Sequence, residues 1–143
     1  MKCTTIIDAN RKEVVIYTDR ITNETKAIEG FVSGLDTDIQ AYKNKEIVLL
    51  NQNEVYCFTT ENGVVYAITE KEKLLVKQRI FQLEELLSDN FLKINQSSLA
   101  NINYIKRFDA SFGGSLIVIF KNGYKDYVSR RQTRLVKERI GIK

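Results

Sequence analysis

Short runs of β-branched and apolar residues, parted by polar turns, recur along most of the chain. Residues 3–7 and 13–18 (Glu13-Val-Val-Ile-Tyr-Thr18) are two such runs and predict short strands. The period then changes. Ile28, Phe31, Val32 and Leu35 recur at helical spacing. Thr22 or Asn23 is the candidate N-cap, Glu24 falls in the first turn, and Gly34 sits near the C-terminal end. The opening residues thus predict a small β-β-α unit. Beyond it, Ile47–Leu50, Val55–Thr60, Val64–Thr69 and Leu74–Val76 read as strands, the middle two joined across Glu61-Asn62-Gly63. Ile80, Leu83, Leu86 and Leu87 form a helical stripe over residues 78–88, best explained by core packing.

Strands resume at Phe91–Ile94, before the polar, loop-like Asn95-Gln96-Ser97-Ser98. Tyr104–Ala110 and Leu116–Phe120 are predicted strands about a Gly113–Gly114 turn, and Asn122-Gly123 predicts a tight hairpin leading into Tyr124–Val128. Ser129-Arg130-Arg131-Gln132 fits a capping box, in which Ser129 caps a helix and Gln132 reaches back. Leu135, Val136 and Ile140 are expected to face the core, with Gly141 ending that helix. The fold class expected is mainly β and antiparallel with short helices, without the strand–helix alternation of a parallel α/β sheet.

A length of 143 residues suits one domain with a short appendage. No run approaches the ~20 apolar residues of a membrane helix, and the first residues lack the apolar core of a signal peptide, so a cytoplasmic location is expected. Histidine is absent, which excludes Ser-His and Cys-His nucleophiles and histidine-ligated metals. Spacing permits a Cys3–Cys57 disulfide, but a reducing compartment favours two buried free thiols. The carboxylate pairs Glu84–Glu85 and Asp36–Asp38 read as solvated surface. There is no glycine-rich phosphate loop. Neither a cofactor nor an enzymatic activity is expected.

Charge narrows the function. Residues 1–90 carry 11 Lys/Arg and 15 Asp/Glu, a net of −4, whereas residues 91–143 carry 11 Lys/Arg and 3 Asp/Glu, a net of +8. That asymmetry fits a surface that meets a polyanion. Arg130 and Arg131 in the first turn of a helix oppose its dipole, a conflict that a bound anion removes. Arginine also matches a phosphate or the O6/N7 edge of guanine, and Gln96 can pair with adenine. A protein-interaction module with a basic surface for an acidic partner is the alternative. RNA binding is less favoured, because Phe91, Phe108, Phe120, Tyr124 and Tyr127 sit in strand patterns that suggest core.

Four motifs resemble the LytTR-type DNA-binding domain in order and spacing. They are Arg79-Ile-Phe-Gln-Leu-Glu-Glu-Leu-Leu87, Phe91-Leu-Lys-Ile-Asn-Gln-Ser97 with Ala100-Asn101, Asn122-Gly123, and Val128-Ser129-Arg130-Arg131. The resemblance implies an elongated all-β domain over residues 39–143, preceded by a β-β-α extension over 1–38 for dimerisation or partner binding. It implies a bacterial, stand-alone, sequence-specific regulator of double-stranded DNA without a receiver domain. Repeated half-sites, a homodimer and an integral-membrane regulatory partner go with it. By position, Lys93, Ser97 and Arg134 are the implied phosphate contacts. Arg131, with Gln96 and Arg130, is the implied reader of base edges. Asn101 matches a structural asparagine, and Asn95 stands where the family has histidine. The loop at 61–63, a further contact in the family, has no basic residue here.

Overall fold

The computed structural model describes residues 2–35, 38–110 and 115–141. Residues 2–21 form no strand; the first regular element is helix α1, Asn23–Gly34. Thr22 caps it, accepting from the Thr25 amide at 3.2 Å while the Thr25 hydroxyl accepts from the Thr22 amide at 2.9 Å. The two expected N-terminal strands are therefore not formed, although the helix is. Strand propensity without a neighbouring strand leaves backbone donors and acceptors unpaired, so it makes no strand by itself.

Ten strands follow among the described residues: β1 Asp38–Lys43, β2 Glu46–Asn51, β3 Cys57–Glu61, β4 Val64–Ile68, β5 Lys73–Val76, β6 Phe91–Asn95, β7 Ser98–Asn101, β8 Ile105–Ala110, β9 Leu116–Phe120 and β10 Lys125–Val128. Helix α2, Ile80–Leu86, precedes β6, and helix α3, Arg130–Ile140, follows β10. Every pairing is antiparallel. Seven strands make one sheet in the order β2-β1-β5-β4-β3-β7-β6, and β10-β9-β8 make a second. The mainly β class is observed. Strands β1 and β7 occupy segments read as connections. The expected Gly113–Gly114 turn lies outside the described residues.

Two cores divide the faces of the large sheet. On one face Ile39, Leu50, Phe58, Leu74 and Leu99 pack under Ile80, Leu83 and Leu87 of the α2 segment. On the other, Cys57, Ile94 and Ala100 meet Val118 and Phe120 of the small sheet and Val136 of α3. Period-two alternation assigns successive residues to opposite cores. Some expected core positions face water instead: Leu135 and Leu86 are exposed; of the residues at helical spacing near α1, Phe31 and the C-cap Leu35 are exposed too. The buried positions of α1 are Thr25, Gly30 and Gly34. Both cysteines are free as expected, but only Cys57 is buried; Cys3 is exposed.

Asn51 and Asn101 play matching parts. Each ends a strand (β2, β7) and caps a 3₁₀ turn by accepting from the amide two residues on, at 3.0 and 3.1 Å. Buried Asn101 also donates to the Val55 carbonyl at 3.0 Å, in keeping with a structural role. The Asn-x-Asn spacing at 51/53 and 101/103 is a sequence signal for this repeat.

Candidate nucleic-acid interface

Two segments meet where β6 and β10 end. The turn between β6 and β7 is built by Asn95, which is buried. Its Oδ1 accepts from the Ser97 amide at 2.8 Å, and its Nδ2 donates to the Tyr127 carbonyl at 2.8 Å and to Asp126 Oδ1 at 3.1 Å. Asp126 Oδ2 also lies 2.6 Å from the hydroxyl of buried Ser98, which is 2.9 Å from Thr59 Oγ1. The Thr60 amide donates to the Ser97 carbonyl at 2.8 Å. The tip residue, Gln96, has no such role and is exposed.

Helix α3 starts beside this turn. Ser129 Oγ accepts from the Gln132 amide at 3.3 Å, as the capping reading expects. The reciprocal bond is not the one formed: the Ser129 amide donates to the Ile94 carbonyl of β6 at 2.8 Å, so the cap is stitched to the sheet. Val136 anchors the helix in the second core, and Gly141 ends it in the left-handed conformation at φ 80°. Arg130 and Arg131, in the first turn, are exposed, and among the described residues neither has an acidic partner. Arg134 lies one turn on, exposed, with its Nε 3.2 Å from Glu138 Oε1.

The six expected contact residues thus divide. The turn that carries Gln96 and Ser97 is tied to the start of α3, where Arg130 and Arg131 lie, through the Ser129–Ile94 and Asn95–Tyr127 bonds, and Arg134 is on the same helix. Lys93 does not join them. It pairs with Leu99 on β7, on the α2 side of the sheet, with its Nζ 3.3 Å from Glu84 Oε1. Tyr127 and Lys125, exposed on β10 just before α3, were missed as surface groups. Their alternation with half-buried Asp126 and buried Val128 is the signal that places them outward.

Beneath the turn, burial pushes the Cys57 thiol well above its ordinary range, and Asp126 adds to the effect against an opposing hydrogen bond from Ser98. Burial likewise raises the Tyr124 hydroxyl. Neither group is an ionised nucleophile at neutral pH. Among the described residues no three His, Cys, Asp or Glu side chains gather as a metal site, and no helix is long and apolar enough to cross a membrane.

The family model of the LytTr DNA-binding domain matches residues 45–141. The chain belongs to this family. A LytTr DNA-binding domain from Bacillus cereus has the same fold, with a TM-score of 0.71 at 17% identity over 75% of this chain and 99% of that one. Over 99% of both chains, this LytTr protein is 31% identical to an uncharacterized HTH-type transcriptional regulator of Staphylococcus aureus strain NCTC 8325 / PS 47. A counterpart from strain MSSA476 is 30% identical over the same share. No helix-turn-helix exists among the described residues, since strands separate each helix from the next. In this LytTr fold Arg130, Arg131 and Arg134 are presented by one helix, α3, and Gln96 by the neighbouring strand turn.

Proposed function

We propose that the protein is a transcriptional regulator that binds double-stranded DNA sequence-specifically and catalyses no reaction. One observation carries this reading: the turn that exposes Gln96 is fixed by buried Asn95 and bonded to the start of α3, where Arg130 and Arg131 are exposed and, among the described residues, have no acidic partner. Rigid presentation matters, because a bidentate pair to a base edge tolerates little misplacement. Arg131 reads a base edge, with Gln96 and Arg130 beside it. Ser97 and Arg134 hold phosphates and set register. Lys93 has no support as a phosphate contact, given its pairing with Glu84. So few base contacts per chain favour two copies on repeated half-sites. Access to the chromosome places the protein's action in the cytoplasm.

Selection of bound duplexes from a random pool is the test, followed by mobility shifts on the selected sequence. A recovered consensus is expected. Arg131→Ala should cost about 1–3 kcal/mol and relax preference at one base pair. Equal loss on every sequence would make Arg131 a phosphate contact only. Failure to enrich any sequence would favour an acidic protein partner for the same surface.

A further inference from the structure

We propose that residues 3–18 close into a β-hairpin on the free edge of the large sheet of a second copy, so that two copies exchange N-terminal arms. This rests on the two-copy reading above and supplies its interface.

The arm carries the first observation. Six of the fourteen exposed large hydrophobics among the described residues fall between Ile6 and Ile21; Ile7 is 95% and Tyr17 91% exposed. Apolar groups concentrated in this way on a surface mark an interaction site. The arm is also half-prepared as a hairpin. The Arg11 amide donates to the Asp8 carbonyl at 3.1 Å, the Asn10 amide donates to Asp8 Oδ1 at 3.0 Å, and Arg11 pairs with Asp8 and Glu13. A turn therefore exists between two strand-patterned segments that have no ladder. A two-stranded hairpin alone is marginal in water, and a third strand with an apolar face makes it stable.

Strand β2 offers that third strand. Among the described residues its one strand neighbour is β1, so one row of its backbone N–H and C=O groups has no ladder partner there. Edge strands are normally guarded by charge, proline or a bulge. β2 has one charged residue, Glu46, and it presents Ile47 and Leu49, 63% and 62% exposed, on the face that α2 does not cover. Two of the other edges are better protected. β6 is tied to α3 through Ser129, and β8 carries Lys106, Arg107 and Asp109.

A second copy is the occupant that fits. Within one chain both arm and edge are described, and they do not pair. The arm leaves α1 at Thr22, and Asn23 lies against Gly141 of α3, whereas Gly34 at the far end of α1 accepts from Asn51 of β2 at 2.9 Å. The arm's root is thus one helix length, about 18 Å, from the near end of its own β2. Reciprocal exchange offers the five exposed apolar side chains of each arm (Ile6, Ile7, Val14, Val15, Tyr17) to the partner, twice over, toward the buried area on the order of 1,000 Å² expected of a specific interface. The mode is strand addition, with main-chain bonds for affinity and alternate side chains for fit.

The full chain is examined by light scattering without DNA. A mass of two chains is expected. Tyr17→Lys and Leu49→Lys, both at exposed positions, should each weaken association at least about tenfold while leaving the thermal transition at concentrations where the chain is monomeric unchanged. Cys3, exposed and free, should also form an interchain disulfide with a thiol introduced by Ile47→Cys or Leu49→Cys, and Cys3→Ser should abolish it. A monomer at all concentrations, a dimer indifferent to both lysine variants, or an intrachain disulfide in a monomer would each overturn the proposal. DNA selection is read separately. A chain that selects a consensus yet stays monomeric off DNA refutes the exchange and not the DNA reading.

Discussion

Asn95 is buried and makes three hydrogen bonds, while its neighbour Gln96 is exposed and has no part in that network. Asn95→Ala leaves the Ser97 amide without its acceptor and removes a donor from Asp126, and it should cost about 1–3 kcal/mol by urea denaturation. It should also weaken DNA binding, although Asn95 faces the protein. Gln96→Ala should weaken binding with the urea midpoint unchanged. Equal midpoints for both variants would refute this division. The sequence marks 95–98 as polar, but which neighbour turns outward depends on the register shift between Lys93 and Asn95 against β7, which is visible only once the strands are paired.

Below that turn, the raised thiol of Cys57 carries a pH prediction. The native state keeps this proton at a pH where the unfolded chain, near the ordinary value of 9.0, releases it. Fewer protons bound in the unfolded state means that stability falls as pH rises. The contribution is complete below about pH 9 and is lost above it. Urea midpoints measured from pH 7 to 10.5 should therefore decline past pH 9. They should decline less steeply for Cys57→Ala, which starts lower because it opens a small cavity. Tyr124, raised in the same direction, keeps part of the decline in that variant.

At the scale of elements, α1 shows how far a pattern can be read. Its cap, period and end were legible, because they depend on neighbours along the chain. Its docking face was not. The apolar stripe offered Ile28, Phe31, Val32 and Leu35, of which Phe31 and Leu35 are exposed and Ile28 and Val32 half-buried, whereas Gly30 and Gly34 make the close approach. A Cβ on Gly30 would stand 2.6 Å from the side chain of buried Asn90, whose Nδ2 donates to the Ala27 carbonyl at 3.1 Å. Asn53 Nδ2 donates to the Phe31 carbonyl at 2.9 Å. The helix is thus held by amides reaching its backbone, a contact with no hydrophobic signature. Gly30→Ala gains about 1 kcal/mol of helix propensity but must displace Asn90. The net effect should be a loss of about 1–2 kcal/mol. In an Asn90→Ala background the same change should be neutral or stabilising, and a double-mutant cycle reads the difference. Additive effects would mean that the glycine is not there for the approach.

For the whole molecule, counting charges located the basic third of the chain, because composition needs no fold. It could not show which cations share a face. Lys93 counts toward the +8 of residues 91–143, yet it lies across the sheet against Glu84, while Arg134 lies on the helix that follows the turn. Salt dependence separates the two. Each phosphate neutralised releases condensed counterions and contributes about 0.9 to the slope of log affinity against log salt. Arg134→Ala should therefore flatten the slope by about 1 and weaken binding to every sequence alike. Lys93→Ala should leave slope and affinity unchanged and should free Glu84, an exposed pair worth under about 1 kcal/mol. If Lys93→Ala flattened the slope as Arg134→Ala does, DNA would have to reach the α2 face as well. The binding surface would then extend around the edge at β6 instead of stopping at the turn.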